Sequence, residues 1–135
     1  QEMRWRAAYD LVMAQCLAYR VRQFQFLLAL DRHQKTQPPL SDPIHNVWDV
    51  HHVAELIEPD PQVVAATHIN LDELEKQRVR ALEMYEYVIA QHPGTPWAQR
   101  AEYERSLGFG ITFASGFWDP RYANDPELQA RVPRF

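Results

Sequence analysis

Residues 4–32 read RWRAAYDLVMAQCLAYRVRQFQFLLALDR, and how this stretch is read decides the fold. Trp5, Ala8, Tyr9, Val12, Cys16, Tyr19, Phe26, Leu27 and Leu30 recur at steps of three and four, the period of one helical face. Leu11, Met13, Leu17, Val21, Phe24 and Leu28 add a second apolar series, and no Gly or Pro interrupts the run. A helix that is apolar on two sides needs partners on two sides, so this one is expected at the centre of a bundle. Cys16 lies beside Val12 and Tyr19 and is expected as a buried small hydrophobe. Arg4, Arg6, Arg20 and Arg22, flanked by Asp10 and Asp31, read as a solvated face of the same helix.

Beyond this helix the pattern breaks. Pro38, Pro39 and Pro43 exclude a helix interior, because proline lacks the N–H donor and restricts the residue before it. Val47, Trp48, Val50, Val53, Leu56 and Ile57 suit a short helix over 47–57, ended by Pro59 and Pro61. The connection is long for a bundle. Residues 63–69 fit a helix or an extended segment equally well.

Asn70 is placed to cap a helix over 71–91, with Asp72 and Glu73 at its positive dipole end. His92, Pro93 and Gly94 stop it. Thr95 then caps a helix to about Leu107, with Pro96 at the first position, where a missing donor costs nothing. The tail from Phe109 onward is rich in aromatics, including Phe113, Phe117, Trp118 and Tyr122, and is expected to pack on the bundle. Asp125 and Pro126 suit one more helical turn.

The bulk numbers agree with one folded unit. At 135 residues the chain fits a single domain, 1–135, with a core large enough to need no staples. Its 46% hydrophobic and 24% charged residues exclude wholesale disorder. A net charge of −4 argues against a nucleic-acid partner. No apolar run reaches the ~20 residues of a membrane span. With one cysteine, no internal disulfide forms. The abrupt start just ahead of a helix is expected of a domain cut from a larger protein.

Ala81, Tyr85, Val88 and Pro93 stand at offsets of four, three and five. This resembles the second half of a tetratricopeptide repeat, where a small residue lets two helices approach, an aromatic fills the space between them and a proline ends the second. The run HPGTPWAQRA at 92–101 resembles the proline-rich junction of such repeats in bacterial envelope proteins. The similarity covers residues 79–108, and no second copy follows at the ~34-residue period. Residues 4–15, with 100–103 and 108–110, are similar to helical C-terminal regions of large bacterial proteins that carry a von Willebrand factor A-type domain. That resemblance implies export to the cell envelope and brings no catalytic residues with it.

Candidate chemistry is sparse. Asp49, His51, His52 and Glu55 offer metal-ligating side chains, and His51 and Glu55 would share a face of a helix over 47–57. No His-Glu-x-x-His pattern accompanies them. No serine stands in a Gly-x-Ser-x-Gly turn, and no Gly-x-Gly-x-x-Gly loop is present. Tyr and Trp anchor many interfaces, so Tyr85, Trp97 and Tyr103, in a groove between helices, with Trp48 and Trp118, are the expected partner-binding residues. The sequence thus predicts an all-α, irregular bundle with a tetratricopeptide-like helix pair, a long proline-rich connection and a packed aromatic tail. Its expected role is a non-catalytic protein-interaction or structural module without cofactor, bound to a protein partner or to itself as a homodimer. The alternative is a metal- or small-ligand-binding domain, or an enzyme, centred on Asp49, His51, His52 and Glu55.

Overall fold

The computed structural model describes residues 2–131, without the side chains at positions 2, 3, 122, 123, 128 and 129. The first helix, α1 (Glu2–Thr36), runs 35 residues, ~52 Å at 1.5 Å per residue. It ends where Gln37 takes a positive φ of 41° ahead of Pro38 and Pro39. The strand β1 (Val47–Val53) follows, then α2 (Pro61–Thr67), α3 (Leu71–Gln91), α4 (Pro96–Ser106), β2 (Gly110–Gly116) and two short helices, α5 (Arg121–Asn124) and α6 (Pro126–Ala130).

The helix starts follow local chemistry. The Asn70 side chain accepts from the Glu73 amide at 3.0 Å and Thr95 Oγ1 from the Ala98 amide at 3.3 Å, as the sequence predicts. Residues 63–69, ambiguous in sequence, fall largely in α2. Asp60 caps that helix by accepting from the Gln62 amide at 2.8 Å.

The core lies where α1, α3 and α4 meet. Leu11, Ala14, Ala18 and Val21 of α1 pack with Ala81, Tyr85 and Val88 of α3, Ala101 of α4 and Phe109. The alanines Ala14, Ala18, Ala81 and Ala101 are fully buried. Their small size lets the helix backbones approach, and the ring of Tyr85 fills the space that remains.

The fold is not all-α. The stretch 47–57, expected as a helix, contains β1, which pairs antiparallel with β2 in register from Val47↔Gly116 to Val53↔Gly110. Valines at 47, 50 and 53 fit a helical period, but they are β-branched and suit a pleated surface equally. A ladder supplied from more than 50 residues away decides the outcome. The tail is therefore only partly wrapped. Ile111 is buried and Phe113 half-buried, whereas Phe117 and Trp118 remain exposed.

Trp48, Val50 and His52 share one face of the ribbon with Ser115, Phe113 and Ile111. This face meets the C-terminal half of α1. The Phe113 ring lies 5.8 Å from Phe26 and 5.2 Å from His33, and His33 stands edge-on to Trp48 at 4.5 Å. Gln25 of α1 clips the chain after β1. Its amide donates to the Ile57 carbonyl at 3.2 Å and accepts from the Ile57 amide at 2.7 Å. Two glycines permit the crossing from α4 to β2. Gly108 has φ +76°, and a Cβ there would stand 2.5 Å from the Val53 carbonyl oxygen; a Cβ at Gly110 would strike the Glu55 carbonyl oxygen.

Candidate interaction face and buried ion cluster

At ~100° per residue, Trp5, Tyr9, Val12 and Cys16 fall within ~40° of one line on α1, and Ala7, Ala14 and Ala18 fall opposite. The fold buries the small-residue side. Trp5 is 77% exposed, Tyr9 64% and Val12 52%, and Met13, Cys16 and Tyr19 are also exposed. The expectation of a buried Cys16 is thus corrected, and α1 has partners on two sides only along its C-terminal half, where the ribbon joins α3 and α4; along its first half the bulkier side is left in water. The missed signal is side-chain volume. Alanines at 7, 14 and 18 match Ala81 and Ala101 across a close helix contact, and Trp and Tyr do not fit there.

A second feature ties α1 to α4. Glu104, 2% exposed, accepts from Arg22 Nη1 at 2.9 Å, Arg100 Nη2 at 2.6 Å, Gln15 Nε2 at 3.2 Å and the Tyr19 hydroxyl at 3.2 Å. Arg22 also donates to the carbonyls of Glu104 and Gly108, at 2.9 and 3.0 Å. Burial pushes the Glu104 carboxyl up, but the hydrogen bonds from Arg22, Arg100 and Gln15 outweigh it and hold the carboxyl below its ordinary value. This carboxylate is pinned in its charged form and is poorly suited to exchange a proton. The cleft above it, about 480 Å³, is lined by Tyr19, Arg22, Phe26, His52, Arg100 and Tyr103 among others. Burial, then the Arg22 charge, lowers the His52 pKa.

The alternative metal-ligating set, Asp49, His51, His52 and Glu55, is not brought together. Strand alternation sends Asp49 and His51 to one face of the ribbon and His52 to the other, toward α1. Glu55 lies beyond the strand, so the helical face it was to share with His51 does not exist. Among the described residues, no three His, Cys, Asp or Glu side chains come together as a potential metal site.

The expected partner-binding residues are likewise dispersed. Tyr85 has no exposed surface and fills the core, so no groove opens over it. Trp97 is half-buried against the core. Tyr103 is exposed on α4 beneath the Arg100 guanidinium, 5.3 Å from the ring centre. Trp48 is half-buried beside His33, and Trp118 is exposed where its backbone pairs with the Asn46 side chain at 2.8 and 2.9 Å. Tyr122, one of the tail aromatics expected to pack on the bundle, falls outside the described side chains.

One contact was not anticipated in sequence. Ser115 Oγ lies 2.8 Å from His45 Nδ1 and 2.7 Å from Ser41 Oγ. Among the described residues no carboxylate hydrogen-bonds to the His45 ring, so the orienting third group of a nucleophilic triad is missing. The cluster locks the 41–46 turn onto β2. No helix among the described residues is long and apolar enough to cross a membrane. Comparison with family models, with curated proteins and with solved structures gives no match.

Proposed function

We propose that this chain is a non-catalytic protein-interaction module of a larger bacterial protein, and that the outer face of α1 is its docking surface. The observation that carries the reading is the stripe from Trp5 to Tyr19, where Trp5, Tyr9, Val12, Met13, Cys16 and Tyr19 are exposed on one helix. Single exposed apolar residues are ordinary, but a contiguous patch of this kind marks an interaction site. Trp and Tyr bury much area for little lost rotamer freedom. The tetratricopeptide-like pattern points the same way. Ala81, Tyr85, Val88, Ala98 and Ala101 are buried, which is compatible with the helix packing that the resemblance implies. An envelope location remains a proposal resting on the similarity to regions beside von Willebrand factor A-type domains.

A photo-crosslinking amino acid at Tyr9, compared with one at Tyr87 on α3, tests the reading in the full protein in cells. A discrete protein adduct from position 9, absent from position 87 and lost with Val12→Lys, is the expected result. Equal, diffuse labelling from both positions contradicts it.

A further inference from the structure

The outer stripe of α1 has a stricter order than a generic apolar patch. Trp5, Tyr9, Val12, Cys16, Tyr19, Gln23, Phe26 and Leu30 are spaced by alternate steps of four and three. That is the a/d repeat of a coiled-coil seam, whose complement is another helix. The ribbon partly covers the seam at Phe26, which packs on Phe113 and is still 37% exposed, and leaves it open from Trp5 to Tyr19.

Building on the docking reading, we propose that the occupant is a second copy of this chain, its α1 laid antiparallel against the first. Size is one argument. On the scale of ~150–250 Å² for a whole aromatic residue, the exposed stripe offers on the order of 600 Å² per copy. Two copies face to face remove up to ~1,200 Å², which reaches the lower edge of a specific, stable interface. Access is another: α3 packs on the opposite, alanine side of α1, α4 reaches the seam only at Tyr19 through Glu104, and Trp5, Tyr9, Val12 and Cys16 are exposed.

Complementarity selects the orientation. With Trp5 opposite Cys16 of the second copy and Tyr9 opposite its Val12, every layer holds one large and one small side chain, and four layers follow from a single two-fold axis. This register sets Arg4 and Arg6 beside Leu17 and Gln15 of the second copy. A parallel, in-register pair stacks Trp5 on Trp5 and brings Arg4, Arg6 and Arg20 level with their own copies, wasting volume at one layer and adding like-charge repulsion.

Cys16, the chain's single cysteine, reports the register. In the antiparallel pair the two Cys16 positions are offset by eleven residues, ~16 Å along the axis, beyond the ~7 Å Cα limit for a disulfide. Oxidation of the purified wild-type protein at high micromolar concentration therefore leaves it unlinked. Trp5→Cys under the same conditions yields a covalent dimer whose bond joins positions 5 and 16, and adding Val12→Lys reduces its yield at least tenfold. A wild-type dimer linked Cys16 to Cys16, or no linkage in either protein, overturns the proposal. In the second case a discrete Tyr9 photo-adduct of another protein's mass leaves the docking reading standing, and the absence of any adduct removes both.

Discussion

At position 85 the chain buries a phenol whose hydroxyl meets no hydrogen-bonding partner among the described residues. Burial pushes its ionisation well above the ordinary tyrosine value. An unsatisfied buried polar group costs ~1–3 kcal/mol, so Tyr85→Phe should keep the packing and leave stability unchanged or raise it, read as an equal or higher denaturant midpoint. Tyr85→Ala empties the same space and should cost ~3–5 kcal/mol. Glu104 behaves oppositely, because every neighbour is arranged around its charge. Glu104→Ala strands Arg22 in the core and should cost ~3–5 kcal/mol. The pH dependence follows in sign. The folded-state carboxyl titrates below its ordinary 4.5, so as pH falls the unfolded chain takes up this proton first. The stabilisation from Glu104 is complete above that ordinary value and is lost as pH drops through the folded one. Urea midpoints measured from pH 7 to pH 3 should fall more steeply for wild type than for Glu104→Gln, and parallel curves would contradict this.

At the scale of elements, what the sequence makes legible is local. Asn70, Thr95 with Pro96, and Pro93 with Gly94 state helix boundaries within a few residues of themselves, and α3 and α4 begin where those signals stand. The ribbon has no such signal. Its two strands are separated by α2, α3 and α4, and the valine spacing in β1 fits a helix. The helical face that was to join His51 to Glu55 is lost with that helix, and a period of two separates His51 from His52. Apolar periodicity located α1 but not its buried side, because both of its faces are apolar and only the alanines reveal which one meets α3. The ribbon's dependence on a close crossing is testable: Gly110→Ala places a methyl group against the Glu55 carbonyl. It should detach the chain after β1 and lower the melting temperature by several degrees, with increased amide exchange at β1 and β2 before any at α3. Unchanged exchange across the ribbon would count against the tight crossing.

For the whole molecule, the design separates two kinds of contact. Leu11, Ala14, Ala18 and Val21 with a buried ion cluster hold α1 to its own body, and Trp5, Tyr9, Val12 and Tyr19 on its other side face outward. If that outer stripe were simply a tolerated surface, a charge placed in its middle would change nothing but solubility. Val12 makes no contribution to the core, so Val12→Lys should keep its own fold, with a stability change within ~0.5 kcal/mol in the monomer. Sedimentation equilibrium of the reduced wild type and of Val12→Lys over a hundredfold concentration range tests the account most directly. It predicts a wild-type mass that climbs from 15.9 kDa toward twice that value, and a variant that stays at 15.9 kDa throughout. Identical monomeric masses for both proteins at every concentration would contradict it.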